Sequence, residues 1–398
     1  MTTVREQPRI PGGFTFASGT AGIKASGRPD VALIEAPDGA TAAAMFTRNR
    51  VAAAPVVLGR RHLLASRGTL RAIVVNAGNA NCATGADGMR AAEKTCDALA
   101  SLLGVEARHI LPSSTGIIGV PLPVARLIDS LPRVLASRRE DGVLDVAHAI
   151  MTTDTRPKLA SAMVRAGKQT ASVLGIAKGA GMIHPDMATM LVYILTDAVA
   201  SPALLRRVLK RAAAQTFNCI SIDGDTSTND TAVLMASGVS GLRAAAHEKK
   251  FDAAVMSVCA SLADQIVADG EGVTHRVTLR VEGAASTSAA ARIARTVAQS
   301  LLVKTAWAGA DPNWGRVLAA AGRAGVAIDP HAVDIWIGGQ KVCARGGAVA
   351  FDAERAHRDM SAPTYEVRVR VGDGPGSSRI LTADLTAEYV HINADYST

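Results

Sequence analysis

Apolar residues recur along this chain with two different spacings, and each spacing predicts its own kind of element. Short continuous runs at 31–34, 55–58 and 72–75 (VALI, PVVL, AIVV) predict buried strands. A three-and-four spacing places Ala92, Cys96, Leu99 and Leu103 on one face of a helix over 88–103, with Gly104 as its stop. Ser201 followed by Pro202 reads as a helix start, because a capping hydroxyl precedes a residue whose missing N–H costs nothing there. That helix buries Leu204, Leu205, Val208, Leu209 and Ala212, and turns Arg206, Arg207, Lys210 and Arg211 to water. A third helix carries Phe251, Val255, Cys259, Leu262 and Ile266 in register. Strict alternation marks strands at Val277, Leu279 and Val281 and at Val367, Val369 and Val371. Gly338-Gly339 between two strand-like runs predicts a hairpin, and GDGPG at 372–376 predicts another. Helices and strands interspersed in this way predict a multilayer α/β or α+β protein. No repeat and no low-complexity linker divides the 398 residues, which correspond to about two or three domains.

Composition narrows the function classes. With 48% hydrophobic and 20% charged residues the chain can bury a large core, which excludes global disorder. The formal charge of +8 favours an anionic substrate, but without a Lys/Arg block and with 3% aromatics it excludes a nucleic-acid binder. Cys82, Cys96, Cys219, Cys259 and Cys343 are odd in number, widely spaced and form no CxxC pair, as expected in a reducing cytoplasm. The histidines are scattered, so no metal site is expected. The N-terminal residues show no apolar signal segment. The longest apolar run, at 187–195, falls short of the about 20 residues a membrane span needs.

Several motifs fail on inspection. Gly372, Gly374 and Gly376 precede a strand, so they lack the helix N-terminus that a phosphate loop requires. Asp223 to Ser227 resembles the start of a calcium loop, but Thr228 and Leu234 occupy positions that need Gly and Glu. His184 and Asp186 have no serine or cysteine motif nearby. The informative stretch is KGAGMIHPDMATMLVYIL at 178–195: a glycine-rich loop, then a strand beginning at Ala188-Thr189 that is apolar on both faces. Thr189 there is either an ordinary β-branched residue or an N-terminal nucleophile. In the second case its hydroxyl attacks the carbonyl of Ala188, the peptide breaks, and the freed α-amine serves as base for its own hydroxyl.

This stretch resembles the processing site of the ornithine acetyltransferase family, the bifunctional glutamate N-acetyltransferases of arginine biosynthesis. GIKASGRPD (22–30), MFTRNRVAAAPV (45–56), NAGNANCATG (76–85), STGIIG (114–119), AIMTTDTRPK (149–158), SIDGDTSTNDT (221–231), ADGEGVTHR (268–276), LVKTAWAGADPNWGRV (302–317) and HINADYST (391–398) resemble its other blocks, in order. The resemblance implies an N-terminal-nucleophile-like sandwich cut between Ala188 and Thr189 into chains 1–188 and 189–398. Thr189 is then the acetyl carrier between N-acetylornithine and glutamate, and Thr115 and Gly116 the oxyanion donors. Thr152, Lys178, Thr189, Glu271, Asn393 and Thr398 are the implied substrate contacts. It further implies no resident cofactor, two copies of each fragment, and no nucleic-acid or membrane partner. Whether acetyl-CoA also serves as donor is left open. So are a secondary-metabolism paralogue, an N-terminal-nucleophile peptidase or amidohydrolase, and an unprocessed non-enzymatic protein. His184, Asp186 and the ADPNWGR block receive no role; Trp314 is equally a core residue.

Overall fold

The computed structural model describes residues 8–184 and 190–395. A five-stranded sheet lies at the centre, in the order Thr41–Phe46, Thr231–Ala236, Leu191–Thr196, Gln169–Lys178, Lys158–Ala166. Leu191–Thr196 pairs parallel with Thr231–Ala236 and antiparallel with Gln169–Lys178. It is buried throughout, as its unbroken apolar run requires. Val192 and Ile194 face a core completed by the helices Pro202–Gln215 and Glu248–Ala268. Leu191, Tyr193 and Leu195 face a second core with Phe16, Ile34, Ile73 and Leu111 from a four-stranded sheet. That sheet runs Thr15–Gly19, Val31–Glu35, Ala72–Asn79, Ile110–Ile117, and its other face packs on the helices Gly85–Leu103 and Val124–Ala136 through Cys96, Leu99, Leu131 and Val134. The result is a helix–sheet–sheet–helix sandwich, in agreement with the expected fold class. A seven-stranded sheet at 220–221 and 276–383 forms a further core with the helices Thr287–Ala298, Leu301–Ala308 and Trp314–Gly322.

Most predicted elements are present. Gly104 stops the helix Gly85–Leu103 in the left-handed conformation, with φ +67°. Ser201 caps Pro202–Gln215 by accepting from the Leu204 amide. Two expectations fail. Residues 55–58 are not a strand: Pro55 begins the helix Ala54–Ala65, where its fixed φ suits the first turn. GDGPG is not a hairpin turn either. Thr364–Arg370 and Gly376–Ala383 both pair with Arg276–Ala284, on opposite sides, so the turn carries the chain across the end of that strand. A Cβ on Gly283 would lie 2.0 Å from the Gly372 carbonyl oxygen, which shows how closely the crossing packs.

The segment Ala244–Ala268 is long and apolar enough to cross a membrane, and half of its apolar window is buried. Phe251, Val255, Cys259, Leu262 and Ile266 are its core residues, as their spacing predicts. The expected cleavage point after residue 188 falls between two neighbouring strands of the central sheet, so 1–188 and 189–398 share one core and are not separate folding units. Removing the helix cap tests the local reading: Ser201→Ala is expected to lower stability by about 1 kcal/mol, seen as a lower denaturation midpoint with unchanged slope.

Candidate active site

Strands of the five-stranded and the four-stranded sheets end close together, joined by the Lys178–Thr115 hydrogen bond. Thr115 and Gly116 lie near the end of Ile110–Ile117, where the ladder to Ala72–Asn79 is irregular. Gly116 has φ +131°, and a Cβ there would meet the backbone of Gly78 at 2.3 Å, so no other residue fits. Thr115 and Gly116 both belong to that strand. Lys178 ends Gln169–Lys178 and is buried. Its ammonium donates to Thr115 Oγ1 at 3.1 Å and to Thr152 Oγ1 at 2.8 Å. Burial pulls its pKa below the ordinary lysine value, with Asp154 the main opposing charge.

Glu271 follows the helix Glu248–Ala268. Its amide donates to the Ala180 carbonyl at 2.9 Å, and its carboxylate accepts from Asn393 Nδ2 at 2.8 Å. Asn393 sits on the C-terminal helix Ala387–Asp395, which is tied down where Thr386 Oγ1 donates to the Gly272 carbonyl at 2.6 Å. Gly181 leaves room for the carboxylate: a Cβ would come within 2.4 Å of Glu271 Oε2. Thr115, Gly116, Thr152, Lys178, Glu271 and Asn393 therefore line one cavity of about 100 Å³, a small polar chamber with an amine at one wall and a carboxylate at another. Ala188, Thr189 and Thr398 lie outside the described residues, as does Asp186.

A scan against protein-family models matches residues 15–398 to the ArgJ family. The chain belongs to the ArgJ family. It is 46% identical over 392 residues to the arginine biosynthesis bifunctional protein ArgJ of Methylococcus capsulatus, covering 97% of this chain and 95% of that one. It is 43% identical over 393 residues to the protein of the same name from Pseudomonas syringae pv. tomato, covering 97% and 96%. Among solved structures, the ornithine acetyltransferase of Mycobacterium tuberculosis complexed with ornithine is 38% identical, with a TM-score of 0.39, covering 44% of this chain and 93% of that one.

Other residues of this ArgJ-family chain hold the cavity in place; sequence reasoning assigned Asn229 and Asp230 no role and offered Asp223 only as the start of a failed calcium loop. Asp230 is buried and accepts from the Met190 amide at 3.0 Å, which anchors the chain one residue after Thr189. Burial raises its carboxyl well above the ordinary value, against the pull of that amide and of Lys178. Asn229 donates to the Ala80 and Ser114 carbonyls at 2.6 and 2.9 Å and joins the two central sheets. Asp223 accepts from the amides of Met182 and Ile183 and holds the glycine-rich loop. The signal for these three was a polar run, DGDTSTND, directly before the buried strand Thr231–Ala236.

His184 packs against Ser221 Oγ at 3.3 Å and Gln299 Nε2 at 2.8 Å. In ADPNWGR, Asn313 caps the helix Trp314–Gly322 and Arg316 donates to the Leu302 carbonyl at 2.8 Å, while Trp314 packs against the core of the seven-stranded sheet. That block builds the fold and does not line the cavity.

Burial raises Asp223 to about 6, opposed by the amides of Asp225, Met182 and Ile183. Between its ordinary value of 3.8 and about 6 the folded state holds the extra proton, so stability is expected to fall as pH rises through that window. Thermal unfolding against pH should show this slope in the native chain and a flatter one in Asp223→Asn.

Proposed function

We propose that the chain transfers the acetyl group of N2-acetyl-L-ornithine to L-glutamate through an acetyl ester on Thr189, a step of cyclic arginine biosynthesis. The observation that carries this reading is the cavity, in an ArgJ-family chain, where Thr115, Gly116, Lys178 and Glu271 meet. Both substrates are α-amino acids, and a chamber with opposite charges on its walls suits a carboxylate and an ammonium held together. The relatives, a bifunctional arginine-biosynthesis protein and an ornithine acetyltransferase complexed with ornithine, support the same chemistry.

The Thr189 hydroxyl first attacks the Ala188 carbonyl, the C–N bond breaks, and water hydrolyses the resulting ester to leave a free α-amine on Thr189. That amine takes the hydroxyl proton as Oγ adds to the acetyl carbonyl of acetylornithine. Thr115 and Gly116 stabilise the tetrahedral oxyanion, the C–N bond of the substrate breaks, and the proton goes to the departing ornithine nitrogen. Glutamate enters and reverses the sequence, its amine taking the acetyl carbon from Thr189 Oγ. In this reading the protein needs no resident cofactor, acetyl-CoA is a second donor to be tested, and the processed enzyme contains two copies of each fragment. The free state of all five cysteines supports a cytoplasmic setting.

Incubation with acetylornithine and glutamate should release ornithine and N-acetylglutamate, from protein whose intact mass shows two fragments in place of 41.0 kDa. Thr189→Ala is expected to stay uncut and to transfer nothing; ornithine release by that variant would overturn the reading. Thr115→Ala should retain substrate binding and lose about 10²–10³-fold in kcat.

A further inference from the structure

Lys158, Asp154 and Asp269 form a buried ionic cluster that does not line the cavity. The Lys158 side chain is 0% exposed, and its ammonium meets Asp154 Oδ1 at 2.6 Å and Asp269 Oδ2 at 2.5 Å. We propose that Lys158 is a positioning residue whose bridge between Asp154 and Asp269 sets the separation of Lys178 from Glu271, and so the fit of the cavity to an amino-acid substrate. The proposal rests on the acetyl-transfer reading above.

A closed circuit of contacts carries the inference. Asp154 Oδ1 also accepts from the Gly179 amide at 2.7 Å, the residue after Lys178. One residue further, the Ala180 carbonyl accepts from the Glu271 amide at 2.9 Å. Two residues back from Glu271 is Asp269, which returns through Lys158 to Asp154. Asp154 Oδ2 accepts from the Thr152 amide at 3.1 Å, so the second acceptor of the Lys178 ammonium hangs from the same carboxylate. Asp269 is further fixed by the Thr155 amide at 3.1 Å and by Arg156 at 3.5 Å. Every segment that supplies a charged wall of the cavity is thus anchored to one ammonium.

The chemistry of the cluster agrees with this role. Isolated charges without water are costly, and replacing a whole buried ion group by neutral residues often leaves stability unchanged or higher. Stability alone therefore does not call for Lys158. The cluster also acts on Lys178 electrostatically. Asp154, Glu271 and Asp230 favour the Lys178 ammonium, while Lys158 opposes it; Lys24 interacts with Lys178 as a like charge. Burial would raise the Asp154 carboxyl, but Lys178, Lys158 and the Gly179 amide outweigh it and hold it below the ordinary value.

The test uses the full-length processed protein. Lys158→Met with Asp154→Asn and Asp269→Asn removes the charges together and is expected to unfold cooperatively. Misplacement of the cavity walls should then lower kcat/KM for acetyl transfer on the order of 10²-fold and weaken ornithine binding, measured by calorimetry. A folded triple variant with native kcat/KM and native ornithine affinity would overturn the proposal. A second readout is independent of folding cost. Asp154→Asn keeps the volume and an acceptor for the Gly179 amide, yet removes a charge that favours the Lys178 ammonium. KM is expected to rise at alkaline pH as Lys178 loses its proton; in Asp154→Asn that rise should come at lower pH, and Lys158→Arg should retain the native profile. An Asp154→Asn profile that coincides with the native one would also overturn it. Native protein that transfers no acetyl group defeats the functional reading instead, and the cluster is then judged by ornithine affinity alone.

Discussion

An ammonium group removed from water must find oxygen acceptors and counter-charge within a few ångströms, and Lys178 finds them on separate segments of the chain. Thr115 comes from the four-stranded sheet and Thr152 from the loop before Lys158–Ala166. Asp154 is the negative charge that most favours the ammonium, and its own burial is made tolerable by Lys158 and the Gly179 amide. Each group that satisfies one demand creates the next, until the chain of partners closes through Asp269 and Glu271. The cavity is the space left where that network stops and Gly181 and Gly116 keep side chains out.

The scaffold lets this happen because strands from both sheets end at the same place. Leu191–Thr196 is buried on both faces, so its position is fixed by cores on either side. The chain before it, to His184, is held by Asp223, and the chain after it by Asp230 through the Met190 amide. A backbone break between these anchors leaves the ladder of Leu191–Thr196 and the Asp223 and Asp230 anchors in place. Self-cleavage in the proposed mechanism therefore releases a new amine without releasing either fragment. The seven-stranded sheet contributes in a different way, by carrying the chain to the C-terminal helix that brings Asn393 to Glu271.

Much of the site was legible as local pattern and family resemblance. Thr115, Gly116, Thr152, Lys178, Glu271 and Asn393 were named from sequence blocks and line one cavity. Their roles in the fold were not legible. Thr115 and Gly116 were named by resemblance alone, and their place in a strand had no local signal. Residues 55–58 read as a strand and open a helix, because periodicity over four residues does not distinguish the two and Pro55 settles it. Asp154, Lys158, Asp269 and Asp230 passed unnoticed, since a charged residue in a polar stretch is ordinarily solvated and nothing in its neighbours announces burial.

The sequence by itself determined the elements whose signals are short-range: helix caps at Ser201 and Gly104, the two-faced apolar strand at 191–196, and the alternation at 277–281. Only the tertiary structure decided which strand lies beside which, that Thr364–Arg370 and Gly376–Ala383 flank Arg276–Ala284 instead of pairing with each other, and that one lysine ammonium joins two distant carboxylates. The division has a physical cause. Caps and periodicity depend on groups within about one helical turn or one strand, whereas these pairings and the buried bridge join groups far apart along the chain, such as Arg276 with Thr364 and Lys158 with Asp269, which share no pattern until burial brings them together.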